Sequence, residues 1–271
     1  MDRKELRSKL AQLQAEGKIV PPMSLIKTEE QLQGIRESAA INTALLDYIT
    51  PFMKEGITTE EIDKLVYDFT TSHGAVPAPL NYEGYPKSVC VSINEVVCHG
   101  IPSKTRVLRS GDIVNVDVST IYKGYFSDAS RMFLIGEVPA AKKKLVEVTK
   151  DALELGLQEV KPWGHVGDIG AAIEAHATKN RYSVVREFCG HGVGNAFHED
   201  PYILHYGKRN TGMVMVPGMI FTIEPMLNMG SRNISVSRKD GWTVTTVDKK
   251  PSAQWEYMVL VTEDGFEVLS H

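Results

Sequence analysis

The sequence predicts an α/β (α+β) fold made of two similar halves, each with two helices followed by strands. The first observation is a phrase that occurs twice, at Gly111–Asp117 and Gly218–Glu224. Each copy reads glycine, any residue, isoleucine, any two residues, a β-branched residue and an acid. The second observation is that two stretches with helical spacing of apolar residues precede each copy, and β-branched runs surround it. Together they indicate an internal duplication.

Residues 1–25 are expected to form an N-terminal extension, a short amphipathic helix followed by a proline-containing linker. Leu6, Leu10 and Leu13 lie on one stripe of that helix. The stripe either covers a patch on the main domain, which we favour, or contacts a partner protein. The main domain is then residues 26–271.

Two capping boxes mark the helices of the first half. Thr28-Glu29-Glu30-Gln31 precedes a helix that we expect to end at Pro51, and Thr58–Glu61 precedes a second helix that Gly74 ends. From residue 87 to residue 135 the chain changes to β-branched runs and turns, which predict strands.

Lys123-Gly124 predicts a two-residue turn between two of these strands. In that register Asp117 lies opposite Ser130, and Ser119 lies opposite Asp128. Asp117 and Asp128 are then diagonal neighbours on one face of the hairpin, close enough to share an ion.

The second half is predicted to repeat this order. A helix is expected from Pro139 to Val160. Its inward face is predicted to carry Leu145, Val148, Ala152 and Leu155. Asp168 is expected to cap a second helix that reaches about Asn180, and strands fill most of the remainder to Leu269.

The composition argues against several classes of protein. The net charge of −4 disfavours a dedicated nucleic-acid binder, because such proteins are usually basic. No run approaches the ~18 apolar residues of a membrane span, and the charged N-terminus has no signal-peptide core. Three cysteines without framework spacing suggest free thiols. We therefore expect a cytoplasmic protein with no membrane contact and no direct nucleic-acid binding.

Four carboxylates and one histidine are the main candidates for chemistry: Asp117, Asp128, His191, Glu224 and Glu256. Any one of these acids alone is more often a structural hydrogen-bond acceptor. Four that converge would raise one another's pKa values, and two divalent ions would balance the four charges. Carboxylates with a single imidazole form a hard site that suits Mn²⁺, Fe²⁺ or Co²⁺ and accommodates Zn²⁺.

Further histidines lie where the backbone can approach a ligand closely. His191 lies between glycines in Gly190–Gly194, and His198 follows seven residues later. His99 precedes a glycine and a proline-marked turn, so a strand end would present it to a cleft. A lone histidine is usually a satisfied surface or core residue, but the glycine-flanked pattern favours a site.

The stretches around these histidines, together with several others, resemble the type I methionine aminopeptidases of the pita-bread metallopeptidase superfamily. The similarity is carried by Gly84–Cys90, Ile93–Pro102, Gly190–Gly194, Phe197-His198-Glu199, Thr222-Ile223-Glu224-Pro225 and Asp240-Gly241-Trp242-Thr243. It covers about Ile26 to Leu269 and leaves the extension outside. The resemblance implies a pita-bread catalytic domain, with duplicated halves around a central antiparallel sheet.

The resemblance implies a dinuclear metal site of the same five residues, holding two divalent ions of cobalt, manganese, iron or zinc. Asp128 and Glu256 would bridge both ions. Asp117 would chelate one ion, while His191 and Glu224 would hold the other. Glu224 would also carry a proton from the attacking water to the leaving amine.

The resemblance also implies which residues contact the substrate. His99 and His198 would hydrogen-bond the scissile amide and the developing oxyanion. The pocket for the methionine side chain would be formed by Tyr82, Tyr85, Cys90, Phe197 and Trp242. Without the motifs, core packing would be the ordinary interpretation of these aromatics. Pro79 stands where many relatives carry a cysteine at the pocket rim, which affects the shape of the rim and not the catalytic set.

The expected activity is removal of the initiator methionine from nascent proteins and peptides with a small second residue. The expected partners are nascent polypeptide N-termini, with the ribosome as a further candidate, and the protein is expected to be a monomer. One alternative is an Xaa-Pro peptidase on the same fold. Those relatives usually carry a separate N-terminal domain, for which 271 residues are expected to be too few. The other is a non-catalytic pita-bread binding protein, a class that loses metal ligands, whereas all five are present here.

Overall fold

The computed structural model describes residues 2–271, which form five α-helices and fifteen strands. The helices are α1 (Arg3–Ala15), α2 (Glu29–Ile49), α3 (Thr59–Ser72), α4 (Ala140–Leu157) and α5 (Val166–Lys179). The strands of the first half are β1 (Val76–Pro77), β2 (Cys90–Ile93), β3 (Val96–Cys98), β4 (Ile113–Tyr122) and β5 (Tyr125–Leu134). Those of the second half begin with β6 (Ser183–Val184), β7 (Gly190–Gly192), β8 (Glu199–Ile203), β9 (Ile220–Ile223) and β10 (Met226–Asn228). They end with β11 (Ile234–Val236), β12 (Val244–Thr246), β13 (Ser252–Gln254), β14 (Tyr257–Val261) and β15 (Phe266–Ser270).

The start signals of the first two body helices are confirmed. Thr28 caps α2 in a capping box with Gln31, and Thr58 caps α3 in a capping box with Glu61. The prediction for α5 was wrong by three residues. The helix is capped at His165, and Asp168 lies in its first turn, where its carboxylate accepts from the His165 N–H over 3.1 Å. An acid in the first turn is favourable for the same electrostatic reason as a cap, so the two positions resemble each other in sequence.

Two antiparallel sheets form the centre of the molecule. One contains the long hairpin β4–β5 with β1 and β2 alongside β4, and the other has the strand order β15-β14-β9-β7-β8. Ser130 of the hairpin and Glu256 join the two sheets through a reciprocal pair of backbone hydrogen bonds of 3.3 and 3.2 Å. Two smaller sheets, β13-β10-β6 and β11-β12-β3, complete the strands.

The hairpin register agrees with the predicted one. Asp117 lies opposite Ser130, and Ser119 lies opposite Asp128. The turn residues Lys123 and Gly124 both have positive φ, +50° and +84°, as a two-residue hairpin of this twist requires. Asp117 and Asp128 therefore share one face of the hairpin.

Each half has its own layer of helices over its sheet. Helices α2 and α3 pack against β4 through a core that includes Leu46, Ile62 and Val116. Helices α4 and α5 pack over the second half, and the buried residues of that core include Leu6 and Leu10 of α1. The stripe on α1 thus packs on the body.

The predicted inward face of α4 is correct except at one position. Leu145, Val148 and Ala152 are buried, whereas Leu155 is 43% exposed. Helix spacing alone places Leu155 near the edge of the apolar face, and the position of α5 decides which edge residues are covered. Within residues 2–271, no helix is both long and apolar enough to cross a membrane.

Candidate metal centre and active site

The predicted site residues line one cavity of about 430 Å³ between the two halves. The acids and the histidine of the predicted metal set are all in its wall, as are the predicted substrate-side residues. The residues shared by the cavity wall and the sequence prediction are Asp117, Asp128, His191, Glu224, Glu256, His99, His198, Tyr82, Tyr85, Cys90, Phe197, Trp242 and Pro79. The sequence therefore identified residues that the fold brings together.

The five candidate metal ligands come from both central sheets. Asp117 and Asp128 project from the β4–β5 hairpin, and His191 is the middle residue of β7. Glu224 follows the last residue of β9, and Glu256 precedes the first residue of β14. Since β9 pairs with β14 and also with β7, the second sheet aligns its three ligands.

Three of these residues are close enough to share one ion. Asp128, His191 and Glu256 are buried, and each offers one ligand atom within 4.8 Å of the others. His191 Nε2 lies 3.7 Å from Asp128 Oδ2 and 3.7 Å from Glu224 Oε1. Carboxylate oxygens and one imidazole nitrogen are donors that divalent first-row metals accept.

The carboxylates strongly disfavour their charged forms in the absence of a cation. Burial raises the pKa of Asp117 to about 7 and that of Glu224 to about 8. Burial, and then the charge of Asp117, raises the pKa of Asp128 well above its usual range. Burial, and then the charge of Asp128, does the same to the pKa of Glu256. Among the described residues, no lysine or arginine lines the cavity to offset these charges. The donor set therefore fits divalent metal ions.

His191 is oriented so that one nitrogen is free for a metal. Its Nδ1 lies 2.9 Å from the carbonyl oxygen of Gly192, which can only accept, so Nδ1 carries the proton. Burial lowers the pKa of His191 to about 4, which keeps the imidazole neutral. Nε2 is then an unprotonated donor that faces Asp128 and Glu224.

Three polar side chains that the sequence analysis did not select hold the carboxylates in place. Ser119 Oγ donates to Asp128 Oδ1 over 2.8 Å. Thr222 Oγ1 donates to Glu224 Oε1 over 2.9 Å, and Gln254 Nε2 donates to Glu224 Oε2 over 3.2 Å. The sequence could have indicated two of these residues. Ser119 is the predicted cross-strand partner of Asp128, and Thr222 lies two residues before Glu224 on the same strand face.

His205 is a further residue that no sequence signal identified. It is fully buried, and its Nε2 accepts the backbone N–H of Glu224 over 3.2 Å. Burial lowers the pKa of His205 to about 3, so it remains a neutral acceptor at physiological pH. The contact fixes the main chain at the point where β9 ends.

An aromatic wall faces the carboxylates. Tyr82 Oη lies 3.0 Å from His198 Nδ1, and the Tyr82 ring packs edge-on against Phe197 at 4.9 Å between centroids. Phe197 stacks on His198 at 4.4 Å, and the His191 and His198 rings are 4.3 Å apart. His198 therefore lies between the aromatic wall and the candidate metal ligand.

Another part of the cavity wall is formed by His99, directly after β3. His99 has φ +56°, a conformation uncommon for a residue with a side chain, and its ring lies 6.0 Å from that of Trp242. A Cβ at Gly100 would lie 2.2 Å from Val91 O, so glycine is required there. Burial lowers the pKa of His99 to about 4, and the ring is a neutral hydrogen-bonding group.

The chain matches the model of metallopeptidase family M24 over residues 33–263. It is 49% identical over 243 residues to methionine aminopeptidase A of a Synechocystis species, an alignment that covers 90% of this chain and 96% of that protein. It is also similar to the crystal structure of methionine aminopeptidase from Rickettsia prowazekii. In that comparison the TM-score is 0.89 and the identity 48%, over 91% of this chain and 99% of the other.

A more distant similarity concerns the fold alone. An X-Pro aminopeptidase from Thermotoga maritima has a TM-score of 0.71 and 21% identity, over 92% of this chain but only 62% of the other. The two groups of relatives therefore share the duplicated architecture, and the sequence identity separates them.

Proposed function

The chain belongs to metallopeptidase family M24, and within it to the methionine aminopeptidases, and from this premise we propose how its cavity supports hydrolysis. The proposed metal set is Asp117, Asp128, His191, Glu224 and Glu256, holding two divalent ions. The observation that carries it is the group of buried carboxylates without a cationic side chain in the same cavity. Bound divalent ions would polarise the scissile carbonyl and lower the pKa of water.

Glu224 is the proposed proton carrier. Thr222 and Gln254 donate to its two carboxylate oxygens, and its backbone N–H donates to His205. These three contacts restrict the carboxylate to one orientation. A fixed carboxylate can accept a proton from the attacking water and release it to the leaving amine.

His99 and His198 are the proposed hydrogen-bonding groups for the substrate. Both line the cavity, His99 beside Trp242 and His198 beside Tyr82. A neutral imidazole can donate one hydrogen bond without bringing a charge into the site. We assign them to the scissile amide and to the oxyanion that develops from its carbonyl.

The methionine side chain is proposed to lie among Tyr82, Tyr85, Cys90, Phe197 and Trp242. Tyr85 and Trp242 pack edge to face at 5.2 Å, and the Tyr85 hydroxyl donates to the carbonyl oxygens of Val89 and Gly100. The polar end of Tyr85 is thus satisfied by backbone, which leaves its ring for the substrate. A thioether suits an apolar wall of aromatic rings and a thiol. Pro79 contributes to the rim of the same cavity.

The biological setting is part of the proposal. The substrates would be nascent polypeptide N-termini with a small second residue, met as the chain leaves the ribosome. The protein would act in the cytoplasm as a monomer, using manganese, iron, cobalt or zinc. The three cysteines are free, as expected in a reducing compartment.

The test is release of methionine from Met-Ala and Met-Lys peptides after chelation and add-back of one metal at a time. We expect no release after chelation, recovery with one or more of Mn²⁺, Fe²⁺, Co²⁺ and Zn²⁺, and a clear preference for the Met-Ala peptide. An Ala-Pro peptide and an acetylated Met-Ala peptide serve as controls and should not be cleaved. A folded protein that binds no divalent metal would contradict the proposal, and preferential cleavage before proline would favour the Xaa-Pro alternative.

A further inference from the structure

Lys27 is a buried cation at the junction between the N-terminal extension and helix α2. Its side chain is 1% exposed, and its Nζ pairs with the carboxylate of Glu199, which is 11% exposed. The Lys27 backbone N–H donates to Gly218 O over 2.9 Å, which ties this residue to the start of β9. A buried ammonium group is costly without a partner, so the positions of Lys27 and Glu199 depend on each other.

Glu199 uses its other oxygen to hold the turn that precedes it. Its Oε1 accepts from the backbone N–H groups of Asn195 and Ala196, over 2.7 and 2.9 Å. Its Oε2 is the atom that pairs with Lys27. The turn also approaches the lysine stem, since a Cβ added at Gly194 would lie 3.5 Å from Lys27 Cε. One carboxylate therefore joins a buried cation to two consecutive amides of the turn.

The residues between these amides and Glu199 are Phe197 and His198. Phe197 packs on Tyr82, and His198 lies 3.0 Å from the Tyr82 hydroxyl and beside the ring of His191. Both side chains line the cavity, whereas the backbone that carries them is fixed at its two ends by the same carboxylate. A shift of this turn would move both side chains relative to the candidate metal ligands.

We propose that Lys27 is a positioning residue that sets the substrate-side wall of the active site through its ion pair with Glu199. The lysine balances the charge of Glu199, whose other oxygen accepts from the backbone N–H groups of Asn195 and Ala196. This inference rests on the proposed contact of Phe197 and His198 with the substrate. It also connects the end of the N-terminal extension to the catalytic cavity, although residues 1–25 contribute no side chain to that cavity among the described residues.

The experiment is a double-mutant cycle in the full-length, metal-loaded protein. Lys27→Met keeps most of the stem and removes the charge, and Glu199→Gln keeps an oxygen that can accept from both amides. We expect each single substitution to lower kcat/KM for a Met-Ala peptide by about tenfold, because small misplacements at an active site are costly. Lys27→Met/Glu199→Gln leaves no unbalanced charge and should recover activity to within about threefold of the wild type. Metal content should be the same in all four proteins.

The matched control is Arg36→Met, which removes another ion pair of the main domain. Arg36 pairs with Glu267 through two hydrogen bonds of 3.1 and 2.6 Å, away from the cavity. It should leave kcat/KM unchanged. A purely structural role for Lys27 would lower Tm without changing kcat/KM at a temperature where the protein is folded, and that result would overturn the proposal. So would a double variant no more active than the single ones. A wild-type protein that releases no methionine would instead overturn the proposed function.

Discussion

The two copies of the repeated phrase, Gly111–Asp117 and Gly218–Glu224, begin with the same backbone geometry but differ in the side chains around them. Gly111 and Gly218 have φ values of +94° and +93°. The Gly111 N–H donates to Ile135 O over 2.8 Å, and the Gly218 N–H donates to Val261 O over 2.9 Å. Each segment thus starts its strand in the same way, against the end of the strand that pairs with it.

When the Gly111–Ile135 hydrogen bond is matched to the Gly218–Val261 hydrogen bond, each acid of one half has an equivalent residue in the other. Asp117 corresponds to Glu224, but Ser130 corresponds to Glu256, and Asp128 corresponds to Gln254. Ser130 and Glu256 are also the residues that join the two sheets. The equivalent positions of the two halves therefore meet at the approximate symmetry axis.

The consequence is an asymmetric set of four acids built on a symmetric backbone. In the first half the two carboxylates are diagonal neighbours on one hairpin. In the second half Gln254 takes the diagonal position and donates to Glu224 over 3.2 Å. A carboxylate there would be a fifth acid, in excess of the four that the two proposed divalent ions would balance. The proposed metal set thus accounts for a neutral glutamine at this position by charge balance, although the two backbone positions are equivalent.

The largest effect is expected from Asp128→Asn, which makes the first half resemble the second at the diagonal position. We expect turnover to fall by more than about 10³-fold, beyond the loss of a single oxyanion donor, since one neutral oxygen replaces two charged ones. Methionine release and metal stoichiometry measured on the same sample test this. Normal metal content together with near-normal turnover would refute the bridging assignment.

His198→Ala removes the proposed substrate-side histidine of the second half. We expect turnover to fall by about 10²–10³-fold at full metal occupancy, as for the loss of a donor to developing negative charge. A metal titration distinguishes the roles, because a lost ligand is rescued by excess metal and a lost substrate contact is not. His99→Ala is the matched variant from the first half, and should behave similarly if both histidines contact the substrate. Rescue of His198→Ala by Mn²⁺ or Co²⁺ would reassign it to the metal set.

Gln254→Met removes the neutral side chain that occupies the diagonal position of the second half. We expect kcat to fall by about tenfold with unchanged metal content, which corresponds to the loss of one hydrogen bond to a charged group. The matched variant is Thr222→Val, which removes the hydroxyl that donates to the other oxygen of Glu224. Wild-type kcat in both variants would mean that these contacts do not orient Glu224.

The smallest effect on catalysis is expected from deletion of residues 2–18, because among the described residues α1 contributes no side chain to the cavity. Its buried leucines belong to the core that contains α4 and α5. The deletion exposes the apolar surface that Leu6 and Leu10 cover. We expect Tm to fall by about 5 °C, because the conformational entropy that is no longer lost in ordering the helix offsets part of this effect. Lys27 remains, so kcat of the folded protein should be unchanged. Hydrogen exchange should accelerate in α4 and α5 and stay constant in β4 and β5. Uniform acceleration would show that the halves unfold as one unit.

Local sequence determined the features that depend on neighbouring residues. The capping boxes at Thr28 and Thr58 each depend on only four consecutive residues. The register of β4–β5 follows from the two-residue turn at Lys123-Gly124. The alternation of strand side chains then placed Asp117 and Asp128 on one face. The repeated phrase predicted two similar halves because it contains the glycine and the strand-forming residues that each half needs.

Only the tertiary structure decided the contacts between residues far apart in the chain. Glu256 meets Ser130, His205 accepts from Glu224, and Lys27 pairs with Glu199, and in each case different elements bring the partners together. Helix α4 shows that apolar spacing does not determine burial, since Leu155 fits the spacing but lies beyond the area that α5 covers. Periodicity states which face of an element is apolar, but the packing of its neighbours determines how much of that face is buried and which polar groups meet there.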